Sequence, residues 1–163
     1  MRPSVERLRE LFTISPDGAL IRLVRRPGPT GFVGAIVAGK NVDGYLQTRV
    51  DGYQTYVHRV IFAIANGCWP IGDVDHIDGD RTNNAPLNLR DVSRDVNKQN
   101  IRSARPRNKL GVLGVSLNKA SGKYRAQISA AGRNRTIGEF SDPTLAHQAY
   151  VRAKRQLHEG CTL

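Results

Sequence analysis

The sequence predicts an α+β protein. A small β-rich N-terminal region leads into a strand–loop–strand–helix segment, and a three-stranded antiparallel sheet packed on one helix follows. Three observations predict it. Apolar residues make up 39% of 163 positions and are spread along the chain, which suits two small cores better than one large one. Residues 123–129 alternate strictly: Tyr124, Ala126 and Ile128 point one way, and Lys123, Arg125, Gln127 and Ser129 the other. Charge is partitioned as well, with +4 over residues 1–67, −2 over 68–100 and +9 over 101–163.

Taken in order, residues 5–12 read as a short helix, and "PDGALIRLVRR" as a turn and a strand. "YLQTRVDGYQTYV" reads as a hairpin, because Asp51-Gly52 supplies the positive φ angles of a type I′ turn. His58 to Asn66 reads as a buried helix stopped by Gly67, with His58 as a hydrogen-bonded core histidine. "VDHI" and "LRDVS" read as short strands around an irregular loop, and Ser93 as the cap of a helix over 94–101 with Asp95 near its positive end. Residues 102–111 carry Arg102, Arg105, Arg107 and Lys109 and no acid, and read as a basic linker. Strands follow at about 112–117, 123–130 and 135–140. The last helix is capped by Asp142, started by Pro143 and ended by Gly160. Its apolar face is Ala146, Ala149, Tyr150, Ala153 and Leu157. That face would cover one side of the sheet and leave a bare cationic side bearing Lys123, Arg125, Arg133 and Arg135, fit for a DNA groove. His147 and His158 read as surface groups.

A net charge of +11 makes a polyanion the expected partner, nucleic acid first and an acidic membrane surface second. No run of about 18 apolar residues suggests a membrane span. The N-terminus lacks the apolar stretch of a secretion signal, and Cys68 and Cys161 fit neither a disulfide framework nor a zinc site. These features predict a cytoplasmic protein.

The acidic island is the exception to the basic balance. Phosphodiester hydrolysis needs a base for water, a divalent cation and a hold on the phosphate. Hard cations prefer carboxylate and amide oxygens. Asp75 beside His76, with Asn83, Asn84, Asn88 and Asn97 after them, offers such groups. Neighbours on an ideal strand face opposite ways, so a twist or strand end is needed for both to reach one phosphate, one holding metal and the other activating water. A calcium loop does not fit: counted from Asp73, position five is Ile77. Asn83, Asn84 and Asn100 read equally as turn formers or site residues, and Arg94 as a phosphate clamp or a solvated side chain.

With Asp75-His76, "DGD" at 78–80, Asn83-Asn84, Asn88-Leu89-Arg90, and Asn97 with Asn100, the segment resembles the HNH nucleases of ββα-metal fold, in their phage and intron-encoded homing branch. "HRVIF" at 58–62 and "GY" at 44–45 extend the likeness to roughly 10–102. The resemblance implies His76 as general base, Asp75 and Asn97 as metal ligands, and Asn88 as the residue that steadies the loop and the histidine. Asparagine in the final position favours a single Mg²⁺ or Mn²⁺ over a soft metal. Residues 110–159 resemble the Apetala-type (ethylene-response-factor) DNA-binding domain, through "GVLGVSLNKASGKYRAQIS", "RTIGEF" and the Ala-rich helix. Leu113, Ser116 and Tyr124 depart from its usual arginines and tryptophans, so the binding mode carries over and base specificity does not.

These readings predict a nuclease domain over 1–101 with its ββα-metal core at about 72–101, a linker at 102–111 and a DNA-binding domain over 112–163. Its substrate would be double-stranded DNA, a monomer is favoured, and the setting would be a bacterial host carrying a phage or mobile element. Two alternatives are a DNA-binding regulator with an inactive nuclease module, and a structural nucleic-acid-binding protein.

Overall fold

The computed structural model describes residues 1–37 and 39–163. By packing it divides into two units, Met1–Arg94 and Asp95–Leu163.

The first unit opens with helix α1 (Val5–Leu11), whose N-terminus is capped by Ser4 accepting from the Arg7 N–H at 3.1 Å. Its chain turns directly into β1 (Phe12–Ile14), which pairs antiparallel with β2 (Leu20–Arg22). The hairpin of β3 (Gln47–Val50) and β4 (Tyr53–Tyr56) closes through Asp51 and Gly52 at φ 46° and 83°, as the Asp-Gly pair predicts. Helix α2 (Val57–Asn66) follows at once and stops at Gly67 in the left-handed region. It supplies the centre of the core: Val57, Val60, Ile61 and Ala63 are inaccessible, packed with Leu8, Phe12, Leu20, Val50, Val74 and Leu89. A fully buried side chain of this size contributes about 1.5–3 kcal/mol. Against that core lies the ladder of β5 (Asp73–His76) and β6 (Leu89–Val92), the expected strand–loop–strand.

Helix α3 (Arg94–Gln99) is shorter than expected and, apart from Arg94, belongs to the second unit. The division thus falls after the first residue of α3. The reason is a set of bonds to the C-terminal tail. Gly160 N–H donates to the Gln99 side chain at 3.0 Å, Arg102 donates to the Thr162 carbonyl at 2.9 Å, and the Thr162 hydroxyl bonds Asn100. The basic stretch is likewise knitted onto the unit, since Asn108 donates to the carbonyls of Val112 and Val115. Gly160 does not end a helix. Helix α4 (Pro143–Leu157) ends at His158 in extended conformation, and Gly160 is needed because a Cβ there would lie 2.2 Å from the Val96 carbonyl oxygen.

The second unit's sheet runs β7 (Val115–Asn118), β8 (Lys123–Ala130), β9 (Arg133–Phe140), all antiparallel. Helix α4, capped by Asp142, covers one face, and Val115, Ala126, Ile128, Ala146 and Tyr150 form the core. Two expectations fail here. Leu157 is 44% exposed, and Lys154 is buried in its stead, its ammonium bonded to the Ile101 carbonyl. A register shift between Ala126 and Gln127 then reverses parity along β9. Arg135 therefore pairs with buried Ile128, and Arg133 with Ala130, so both lie on the helix-side parity and not on the bare face. That bare face keeps Lys123 and Arg125, and Arg125 is bound by Glu139 at 2.8 Å. The bare face is polar rather than strongly cationic.

Candidate active site

Asp75 and His76 end β5, and both are buried. The pleat sends them to opposite sides, as alternation requires. Asp75 faces Arg90 across the ladder, and Arg90 donates to its Oδ2 from Nε at 3.0 Å and Nη2 at 2.8 Å. Arg90 was not among the expected site residues, although a cross-strand partner follows from the register once the strands are aligned.

His76 faces a pocket of rings. Its Nε2 lies 2.9 Å from Asn84 Oδ1, and Asn84 is itself 2% exposed. An amide oxygen accepts, so Nε2 is the donor in this contact. Asn84 is thereby resolved from its two sequence readings: it holds the histidine. Next to His76, at 5.2 Å between ring centroids, His58 packs edge-on. Tyr56 stacks on His58 at 5.3 Å, and Tyr45 touches Tyr56, His58 and His76. His58 is buried as expected, but its partners are rings; among the described residues none hydrogen-bonds to it. Burial first, then the nearby His76 and Arg59, push its pKa down to about 3. It is therefore neutral at physiological pH. Arg81 lies over Tyr45 at 4.8 Å and donates to the Asp43 carbonyl at 2.8 Å, which closes the cluster.

The loop between the strands is held by its own side chains. Asn88 sits at the end of a 3-10 turn over Pro86–Asn88. Its amide donates to Asp78 Oδ1 at 2.9 Å and to the Asn83 carbonyl at 2.8 Å, while its oxygen accepts from the Asp78 N–H. Asp78 also accepts from the Asn83 side chain and the Asp80 N–H, and Asp80 accepts from Thr82. Partial burial works to raise the Asp78 carboxyl, but the bonds from Asn88, Asp80 and Asn83 together hold it below the usual range. Asp80 is lowered by the Thr82 N–H and hydroxyl. Gly18 braces the loop from outside: a Cβ there would lie 2.2 Å from the Ala85 nitrogen. Asp78 and Asp80 are thus turn formers, and the acidic island is mostly loop architecture around one buried histidine.

Asn97 lies on α3 and Arg94 at its exposed start. Arg105, Arg107 and Lys109 are exposed, as are Arg133 and Arg135. His147 and His158 are half-buried, not surface groups, bonded to the carbonyls of Leu113 and Ser129. Among the described residues no group of three or more His, Cys, Asp or Glu side chains gathers to hold a metal. The Asp75 carboxylate and the Asn97 amide oxygen are each a hard donor of the kind that suits a cation keeping much of its water. Among the described residues no helix is long and apolar enough to cross a membrane.

Residues 55–99 match the protein family described as HNH endonuclease. The matched segment runs from β4 through α2, the β5–β6 ladder and its loop to the end of α3. It supports nuclease chemistry, and through it DNA as the substrate and a divalent ion as the cofactor. No curated protein and no solved structure matches the chain.

Proposed function

We propose that this chain is a metal-dependent DNA endonuclease of the homing type, with His76 as its general base. The observation that carries the reading is the buried Nε2–Asn84 bond at the end of β5, inside the matched segment. With the proton fixed on Nε2, Nδ1 takes a proton from water as the water oxygen bonds phosphorus and the bond to the leaving oxygen breaks. His58, neutral and packed on the ring, keeps a second positive charge away from a base that becomes cationic in the reaction. Asn88 steadies the loop that carries Asn84. A single Mg²⁺ or Mn²⁺, when bound, stabilises charge on the phosphate and leaving oxygen. Asp75 and, by the family pattern, Asn97 would hold it.

The segment from 112 to 163 serves as a DNA-binding domain in this reading, with residues 1–101 as the nuclease domain and 102–111 as a basic tether. Arg94, Arg102, Arg105, Arg107, Lys109, Lys123, Arg125, Arg133 and Arg135 are its proposed DNA contacts. Arg105, Arg107 and Lys109 are the better candidates, because Arg102 is engaged by Thr162 and Arg125 by Glu139. The second reading, a DNA-binding regulator with an inert nuclease module, is favoured by one observation: Arg90 already engages the proposed ligand oxygen of Asp75.

Supercoiled plasmid incubated with the protein and Mg²⁺ or Mn²⁺, with and without chelator, separates the two. The nuclease reading expects nicked or linear product only with metal. Intact plasmid under every condition, with DNA still bound, supports the regulator.

A further inference from the structure

The first unit contains a second polar site, built from residues the nuclease reading does not use. Arg22, on β2, is 5% exposed, and its Nε is buried without a hydrogen-bond partner. The Phe12 ring lies 5.2 Å from its guanidinium carbon and covers one side, and Nε on its edge is left unmatched. That side chain lines a cavity of about 560 Å³ together with Arg26, Arg49, Thr30, Thr48 and Gln54. No carboxylate lines it among the described residues. Burial, then the nearby Arg26, push Arg22 below the usual arginine value, so the pocket as it stands disfavours its own charge.

Three guanidinium groups with no counter-charge, one of them buried, are costly in isolation. Natural chains retain such an arrangement where an anion completes it. The donors are of the kind that matches phosphate: planar arginine forks and two hydroxyls, beside the Gln54 amide, which also donates to Gln47 Oε1 at 3.1 Å. The cavity is larger than one phosphate group and leaves room for the sugars on either side. It is also held by rigid elements, since Arg22 is fixed by backbone bonds to Ala35 and Gly34, and Arg49 sits opposite Gln54 in the β3–β4 hairpin.

We propose that this pocket seats a phosphate group, supplied by the backbone of bound nucleic acid. The proposal rests on the DNA reading for the source of the phosphate, but not on cleavage. Its test uses the full chain in chelator, where no cutting occurs. Binding of a short duplex is followed by fluorescence anisotropy against salt for the wild type, Arg22→Met and Arg49→Ala. Each variant is expected to bind about tenfold more weakly and to lower the salt slope by about one. Arg22→Met should melt no lower than the wild type, because it removes a buried unpaired charge; a merely structural arginine would lower melting and leave the slope unchanged.

The Arg22 Nε–H resonance supplies the second arm, in titrations with duplex and with inorganic phosphate alone. A shift with duplex at concentrations where inorganic phosphate gives none supports the backbone source. An equal shift with inorganic phosphate supports the phosphate site and overturns its nucleic-acid source. Wild-type affinity and slope in both variants, with no shift in either titration, overturns the proposal. Failure of plasmid cleavage would leave these results untouched, so the two readings fall separately.

Discussion

Replacing Asn84 tests the heart of the proposed site. Asn84 and His76 are 2% and 4% exposed, so neither has water to replace a lost partner. Asn84→Ala removes the acceptor 2.9 Å from Nε2 and leaves a buried donor unmatched. That penalty is about 1–3 kcal/mol of folding stability. The ring also loses the bond that fixes its tautomer, and loss of an orienting partner of this kind lowers activity by about 10- to 100-fold. Asn84→Asp acts differently. A carboxylate against Nε2 favours the protonated ring, and the base works only when deprotonated. The acid limb of the pH–rate profile should therefore move to higher pH by about one to three units. The assay is single-turnover cleavage of a labelled duplex between pH 5.5 and 9, beside urea unfolding of each variant. Wild-type rate and pH profile in both variants would refute the assignment of Asn84 to the histidine.

Three other outcomes follow from the same geometry. His58 has a folded pKa of about 3 against 6.5 unfolded, so the unfolded chain binds the extra proton between those values; stability is complete above 6.5 and falls towards pH 3, by on the order of 3–5 kcal/mol. His58→Phe should flatten that part of the urea-unfolding profile, and parallel curves for the two proteins would count against it. Glu139→Gln should release Arg125, tighten duplex binding several-fold and steepen the salt slope by about 0.9, read by anisotropy; weaker binding would show that the polar sheet face does not meet DNA. Gly18→Ala, with φ at +83° and a Cβ crowding the Ala85 nitrogen, should cost about 1–3 kcal/mol in thermal unfolding and slow cleavage by displacing Asn84; an unchanged melt would contradict the close packing of the loop.

Local chemistry was readable where one element decides the outcome. The Asp51-Gly52 turn, the β5–β6 ladder and the alternation of β8 follow from neighbouring residues alone. What escaped depends on partners distant in sequence. Asn84 looks like any loop asparagine until the loop folds back on His76. His58 looks like a core histidine until Tyr45 and Tyr56 enclose it. Arg133 and Arg135 share a parity in the sequence, but the shift at Ala126/Gln127 decides which face that parity meets, and no residue there announces it. Lys154 takes the place expected for Leu157 because the Ile101 carbonyl, 53 residues earlier, offers its ammonium a partner. The helix expected over 5–12 ends one residue earlier because Phe12 opens β1, a strand of three residues that is too short to show alternation.

The central claim is that His76 is the base of a metal-dependent nuclease. The most direct measurement is cleavage by His76→Gly, with and without added imidazole, in Mg²⁺ or Mn²⁺. The rate should fall by about 10²- to 10⁴-fold with duplex affinity unchanged, and recover in part when imidazole is supplied. Cleavage by His76→Gly at the wild-type rate would contradict it.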